Sequence, residues 1–415
     1  MADTPKIRFE GFMDTWEQRK LIDVCDYVDY RGKTPTKIDC GIFLVTAKNV
    51  KAGYIDYESS KEYISEDNYE EVMHRGKPKI GDVLITTEAP CGNVAQVDSS
   101  NIALAQRIIK YRGHKNEIDN TYLKHYMLAP HFQKLLFEKS SGGTVQGIKG
   151  SILHQQYVMY PRYAEQVKIG QYLDTLDHLI TLHQRKCNET IELKKYMLKK
   201  MFPEEGREIP EIRFAGYTGA WERRKLGDMM FFSNGFNGSN ESFGSGIALI
   251  SVMDILNNDF ITYDTIRGKA KVSNIELERF KVEYGDVLFQ RSSENVEDAG
   301  TSNVYLDTEK IAIFGGFVIR GKRKVNYDPV FIKYLLDSPL VRKQVVRKAQ
   351  GAQHINVSQE MLQDIDILYP LSEEDVKIGN LLRCLDGTIT FHQCKCNELK
   401  EVKKFMLQNM FPQKG

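Results

Sequence analysis

Two loops concentrate the side chains best suited to chemistry. Residues 140–149 carry Ser140, Ser141, Gly142, Gly143, Thr144, Gln146, Gly147 and Lys149. Residues 349–356 carry Gln350, Gly351, Gln353, His354 and Asn356. Lys134 and Lys139 lead into the first loop, and Arg342, Lys343, Arg347 and Lys348 lead into the second, with no acid between Ser338 and Gln359. Gly321-Lys322-Arg323-Lys324 is a further basic cluster. Lysines and arginines neutralise phosphates, while amide and guanidinium groups bond to base edges. The pattern suits nucleic-acid contact; a solvated basic helix face is the plain alternative.

Enzyme motifs are sparse. The chain has no Pro-Pro pair, which adenine or cytosine methyl transfer usually uses within an Asp/Asn-Pro-Pro-aromatic motif. Gly244-Ser245-Gly246 lacks the third glycine of a dinucleotide fingerprint. The stretch from Gly142 to Lys149 approaches a phosphate loop, but Ile148 separates Gly147 from the lysine. Glu192/Lys194 and Glu401/Lys403 are nuclease-like in spacing, yet both fall on a coiled-coil pattern without a supporting acid on a strand. Neither Gly-x-Ser-x-Gly nor His-Glu-x-x-His occurs. These absences point to a protein that binds and positions.

Length and composition fit that reading. The chain has 415 residues, enough for two or three domains. Its charged fraction is 27% and its formal net charge +1, so bulk charge gives no argument for nucleic-acid binding. Mean hydropathy is −0.42, and no apolar run is long enough to span a bilayer. No secretory leader is evident at the N-terminus. Seven cysteines in no framework spacing predict reduced thiols and a cytoplasmic location.

The most informative pattern is an internal repeat of about 200 residues, too long for a solenoid unit. Ile7-Arg8-Phe9 and Trp16-Glu17-Gln18-Arg19-Lys20-Leu21 reappear as Ile212-Arg213-Phe214 and Trp221-Glu222-Arg223-Arg224-Lys225-Leu226. Gly81-Asp82-Val83-Leu84 reappears as Gly285-Asp286-Val287-Leu288, where a structural turn before a strand is expected. The stretch from Val167 to Pro203 aligns without gaps to Val376–Pro412, with well over half of its positions identical. The interiors share little else. One function is therefore expected to be done twice by the closing segments, and two variants of one task by the interiors.

In the closing segments Ile169, Leu173, Leu176, Ile180, His183 and Cys187 recur at alternating steps of four and three, matched by Ile378, Leu382, Leu385, Ile389, His392 and Cys396. That 3.5-residue period over about five heptads predicts two long helices that pair as a coiled coil, each roughly 55–60 Å long. His392, Cys394 and Cys396 raise the question of a metal, but Arg185 stands where Cys394 would repeat, so no metal site is assigned. The interiors alternate short β-like runs (42–45, 82–85, 108–111; 248–252, 286–289, 317–319) with turns. One late helix is expected in each half, from Asn120 to about Phe137 and from Pro329 to about Lys348.

Taken together, the paired openings, the paired Gly-Asp-Val-Leu strands and the near-identical helices ending Met-Phe-Pro resemble the specificity (S) subunit of type I restriction–modification systems, over essentially the whole chain. The resemblance implies an α+β (mixed α/β) fold of two tandem target-recognition domains, each followed by a long helix, the two helices pairing as an antiparallel coiled coil with an internal pseudo-twofold repeat. The corresponding boundaries are 1–163 and 204–371 for the domains, and 164–203 and 372–412 for the helical spacers. Each domain would read one half of a bipartite, asymmetric site in double-stranded DNA, and the spacers would set the gap between the halves. Two methyltransferase (M) subunits would dock on the helices, with Ile169, Leu173, Leu176, Ile180, Ile378, Leu382, Leu385 and Ile389 as the partner-binding positions. Restriction (R) subunits would join them. The chain itself would be non-catalytic, with S-adenosylmethionine, ATP and Mg on partner subunits and none on this chain.

Within that frame the candidate DNA contacts are Thr46, Lys48, Asn49, Thr144, Gln146 and Lys149 in the first domain. In the second they are Arg291, Ser292, Ser293, Arg347, Lys348, Gln353, His354 and Asn356. Asn and Gln suit adenine and Arg suits guanine by bidentate geometry. A duplicated scaffold that binds proteins through its helices and never touches DNA is the alternative.

Overall fold

The computed structural model describes residues 4–30, 35–142, 146–349, 355–371 and 373–412. Its contacts divide the chain into two compact units, Met1–Gln184 with Gln393–Gly415, and Arg185–His392. Both long helices cross that division, so each unit owns half of each helix.

The first unit runs β1 (Glu17–Lys20), α1 (Leu21–Val24), β2 (Cys25–Asp29), β3 (Ile42–Val45), β4 (Tyr63–Ile64), α2 (Glu66–Val72), β5 (Val83–Thr87), β6 (Cys91–Gln96), β7 (Ile102–Leu104) and β8 (Ile108–Gly113). α3 (Asn120–Leu128), α4 (Pro130–Lys139), α5 (Gly150–His154), β9 (Tyr157–Tyr160) and the long α6 (Tyr163–Lys200) follow. A four-stranded sheet β2-β8-β5-β6 stands beside a three-stranded sheet β4-β3-β7, and β1 pairs antiparallel with β9. β5 is buried at every residue, as a central strand covered on both faces must be.

The second unit repeats the plan. After α6 come β10 (Glu222–Lys225), α7 (Leu226–Met229), β11 (Met230–Asn234), β12 (Phe243–Ile250), α8 (Val252–Asn257), β13 (Gly268–Ala270), α9 (Asn274–Phe280), β14 (Lys281–Val282) and β15 (Val287–Gln290). The chain continues through β16 (Ser292–Ser293), β17 (Ser302–Val304), β18 (Ala312–Phe314), β19 (Val318–Arg323), α10 (Pro329–Asp337), α11 (Pro339–Lys348), β20 (Ile355–Asn356), α12 (Gln359–Gln363), β21 (Asp366–Tyr369) and the long α13 (Glu374–Asn409). Its main sheets are β11-β19-β15-β17 and β13-β12-β18-β14, with the pairs β10-β21 and β16-β20. The single late helix expected in each half is in fact two. Pro130 and Pro339 disfavour helical backbone at Ala129 and Ser338, and both residues are extended.

The repeated motifs have physical roles. Gly81 and Gly285 sit at φ +90° and +86°, a region that favours glycine. The next residue, Asp82, is buried and accepts two bonds of 2.6 Å from the Arg112 guanidinium. Asp82 also accepts the Lys79 N–H at 2.9 Å, and Asp286 accepts the equivalent Glu283 N–H and the Arg323 N–H at 3.0 Å. Both are structural turns, as expected. Gly170 and Gly379 let the long helices press on the caps of α3 and α10. A Cβ there would lie 3.1 Å from the Tyr122 N and 2.9 Å from the Phe331 N.

Each opening motif clasps a helix. Arg8 makes a two-pronged ion pair with buried Glu165 (2.9 and 2.6 Å), and Arg213 does the same with Glu374 (2.8 and 2.6 Å). Trp16 packs edge-on to Phe411, and Trp221 edge-on to Phe202. Ile7 N donates to Asn409 O and Ile212 N to Lys200 O, at 3.0 and 2.9 Å. The opening of the first half thus meets the end of the second, and the opening of the second meets the end of the first.

Within each unit the helix halves run antiparallel. In the first unit Asp177 pairs with Lys403, and the Cys396 thiol donates to Gln184 Oε1 at 3.5 Å. In the second, Lys194 pairs with Asp386 at 2.6 Å, and the Cys187 thiol donates to Ile389 O at 4.0 Å. The ion pair in one unit is the repeat of the ion pair in the other, and the two thiols are repeats that find different acceptors. All seven cysteines are free.

A His/Asp cluster sits under this seam in the first unit. His125, fully buried, bonds through Nε2 to Asp174 Oδ1 at 2.8 Å, with Asp177 nearby. Lys124 and Lys403 already supply cations to the two carboxylates. Burial outweighs the Asp174 bond and lowers the His125 pKa to about 4; burial does the same for His131. Burial pushes Asp174 up, but the bonds from His125 and Lys124 prevail and hold it at about 2.

The folded chain therefore keeps both imidazoles neutral, while the unfolded chain binds protons below about pH 6.5. Their contribution is fully present above that pH and is lost as the pH falls toward 4. The melting temperature is expected to fall between pH 7 and pH 5, and His131→Gln to flatten that fall. A melting temperature constant over that interval would contradict the assignment.

Candidate nucleic-acid interface

Three separate chain segments meet in the second unit. At its centre lies Arg291, between β15 and β16. Its backbone N donates to Phe317 O at 3.0 Å, and its O accepts from Val357 N at 2.9 Å. Its guanidinium Nη1 reaches Gly316 O at 3.4 Å. Ser292 pairs with Asn356 across β16-β20, and Ser292 Oγ donates to Asn356 Oδ1 at 2.5 Å. Ser293, the last residue of β16, is buried and its Oγ accepts from Asn295 N at 3.1 Å. Arg291, Arg347, Lys348 and Asn356 all line one open cleft of about 710 Å³. Asn234 and Gln359 also line it. They escape sequence inspection because each stands alone, at the end of β11 and the start of α12. Gln353 and His354 lie outside the described residues.

The basic run beside this cleft is less free than its sequence suggests. Acids arrive from distant segments. Glu205 pairs with Lys343 and Arg347, and Asp364 with Lys225 and Lys348. Hydrogen bonds from Lys225 and Lys348 hold the Asp364 pKa at about 2. Arg342 donates to the carbonyls of Glu297 and Ala299 at 2.6 and 2.9 Å. Arg347 and Lys348 remain at the surface, in ion pairs of the exposed kind that exchange readily for phosphate.

The first unit builds the same scaffold with other side chains. Thr87, at the end of β5, donates from N to Arg107 O at 2.9 Å, and its O accepts from Ile148 N at 2.9 Å. Glu88 bridges to Gly147, and Gly147 exchanges both backbone bonds with Ser141. Gln146 and Lys149 are exposed on this loop. Thr144 lies outside the described residues.

Thr46, Lys48 and Asn49 divide differently. Lys48 is exposed. Asn49 is fully buried: its Oδ1 accepts from Thr46 N and Oγ1 at 2.9 and 2.7 Å. Its Nδ2 donates to Asp56 O and Ser60 O, both at 2.8 Å. Ser251 and Asp254 repeat the same turn in the second unit, at 2.8 and 2.7 Å. Asn49 and Thr46 are thus a structural turn, which corrects their reading as base contacts. The partner-binding positions need a similar correction. Ile169, Leu173 and Leu176 lie in the core of the first unit, and Ile378 and Leu382 in that of the second. They hold each helix to its domain and offer no surface to a partner. Ile180, Leu385 and Ile389 are half-buried.

Asn49→Ala is expected to lower stability by about 2 kcal/mol, since it strands buried backbone partners. Binding preference of the folded variant should be unchanged. A full melting temperature with altered preference would reverse this assignment.

Among the described residues no helix is long and apolar enough to cross a membrane. The family described as Type I restriction modification DNA specificity domain matches residues 13–193 and 219–401. The chain is 23% identical to the type I restriction enzyme MjaIX specificity subunit of Methanocaldococcus jannaschii, over 95% of this chain and 92% of that protein. It is also 23% identical to the putative MjaX specificity subunit of the same organism, over 94% of this chain and 91% of that protein. In fold it is similar to the S subunit of a type I restriction–modification system from M. genitalium. That similarity has a TM-score of 0.62 at 14% identity and covers 99% of this chain and 100% of that one.

Proposed function

Given that this chain belongs to the type I restriction–modification DNA specificity family, we propose that each of its units reads one half of a bipartite, asymmetric site in double-stranded DNA. Recognition of DNA targets is the role of such subunits, and it is this chain's role. One observation carries the finer reading. The three-segment scaffold is the same in both units, Arg107–Thr87–Ile148 and Phe317–Arg291–Val357, while the side chains it presents differ. One backbone frame with two chemistries is what two different half-sites require.

Docking follows from the helix surfaces. Leu193 and Tyr196 on α6 are exposed, and their repeats Val402 and Phe405 on α13 are exposed too. The same salt bridge flanks each pair, Glu192–Lys195 at 2.8 Å and Glu401–Lys404 at 3.9 Å. Two equivalent apolar patches suit two copies of one partner, and we assign them to methyltransferase subunits. These supply S-adenosylmethionine, and restriction subunits supply ATP- and Mg-dependent steps; this chain contributes recognition and no catalysis. The assembly works in the cytoplasm. Because the chain's net charge is only +1, the partners contribute much of the phosphate binding.

Purified chain with its methyltransferase partner should prefer one sequence among random duplexes, and lose about 10³-fold in affinity from 50 to 200 mM salt. No preference at either salt would overturn the reading. Tyr196→Glu or Phe405→Glu alone should leave one methyltransferase bound, and the double variant none. Unchanged stoichiometry in all three would remove these patches from the docking surface.

A further inference from the structure

We propose that the turn joining the two main sheets of each unit carries a base-reading side chain, Arg107 for a guanine in one half-site and Phe317 for a thymine methyl group in the other. This rests on the DNA-recognition reading above and assigns two specificity residues that the sequence patterns did not reveal.

The turns occupy equivalent places. Residues 105–108 cross from β7 in one sheet to β8 in the other, and residues 315–318 cross from β18 to β19. In both units the tip residue's carbonyl accepts from the backbone N of the central segment, Thr87 or Arg291, at 2.9 and 3.0 Å. That segment is in turn bonded to the polar loop at Ile148 or Val357. Arg107 and Phe317 therefore stand at the same point of the scaffold, beside the groups already assigned to DNA.

Each tip residue is poorly explained by the folded chain alone. Phe317 is 73% exposed and follows Gly315-Gly316, whose bare backbone leaves the ring uncovered. A phenyl ring in water forgoes the burial that normally makes phenylalanine worthwhile. It does suit apolar contact with a thymine methyl. Arg107 has φ +73°, a left-handed conformation that glycine would adopt without strain. Strain of this kind, kept at a non-glycine residue, collects at functional sites. Thr87 holds it in place, with both N and Oγ1 donating to Arg107 O at 2.9 and 3.2 Å. The guanidinium is half exposed, with Glu88 at 3.5 Å as an ion-pair partner. Such an exposed pair is weak and can yield to the O6 and N7 of guanine.

The test uses the chain in complex with its methyltransferase partner and a duplex bearing the methylated site. Phe317→Ala and Arg107→Gly are each expected to weaken binding about tenfold, and to lose discrimination at one position, in different half-sites. Both should melt close to wild type, and Arg107→Gly no lower than wild type, since glycine relieves the strained turn. Replacing the assigned thymine by deoxyuridine should weaken wild type but not Phe317→Ala. Replacing the assigned guanine by 7-deazaguanine should weaken wild type but not Arg107→Gly. If wild type is selective and both variants keep every base preference, the proposal fails while the DNA reading stands. Uniform weakening on all sequences, with a shallower salt dependence, would make these phosphate contacts and also overturn it. A wild type without preference would instead fail the parent reading.

Discussion

The arrangement depends on a crossed clasp between beginnings and ends. Trp16 and Arg8, near the start of the chain, hold the Phe411 end of α13 and the Glu165 start of α6. Trp221 and Arg213, near the middle, hold the Phe202 end of α6 and the Glu374 start of α13. Each unit therefore needs both long helices to complete its core, and neither helix belongs to one unit. Buried two-pronged ion pairs make the clasp exacting, because removing one partner leaves a charge stranded in the interior. The copies are not identical: Trp221 Nε1 donates to Glu374 at 3.1 Å, whereas Trp16 Nε1 is buried without a partner among the described residues.

That constraint explains where the two halves vary. Residues of the clasp, the Asp82 and Asp286 turns and the Asp177–Lys403 and Lys194–Asp386 pairs recur because each is buried or bonded on several sides. Residues that face outward from the three-segment scaffold meet no such demand. At the exposed tip, Arg107 can become Phe317 while both backbone bonds of the central segment, at Thr87 or Arg291, are kept. Specificity can then change without disturbing the frame.

Much of this was legible in the sequence. The long helices were plain from their 3.5-residue period, and the duplication from Trp16 and Trp221, the only two tryptophans. The resemblance built on those motifs named the family. The site was only partly legible. Arg291, Ser292 and Asn356 do come together, yet their meeting depends on strand pairing between residues 64 apart. Asn49 reads as a base-seeking amide until its burial and four hydrogen bonds are seen. Ile169 and Leu173 read as seam positions, but a helix that packs on a domain as well as on a partner helix has more than one buried face. Phe317 looked like an ordinary strand residue, since sequence does not distinguish an apolar residue in a sheet from one at a turn tip.

The most direct test is methylome sequencing of cells with and without this gene, its methyltransferase partner being expressed in both. Loss of a single bipartite, asymmetric adenine-methylation motif on deletion is the predicted result. A methylation pattern that is identical in the two strains would contradict the account.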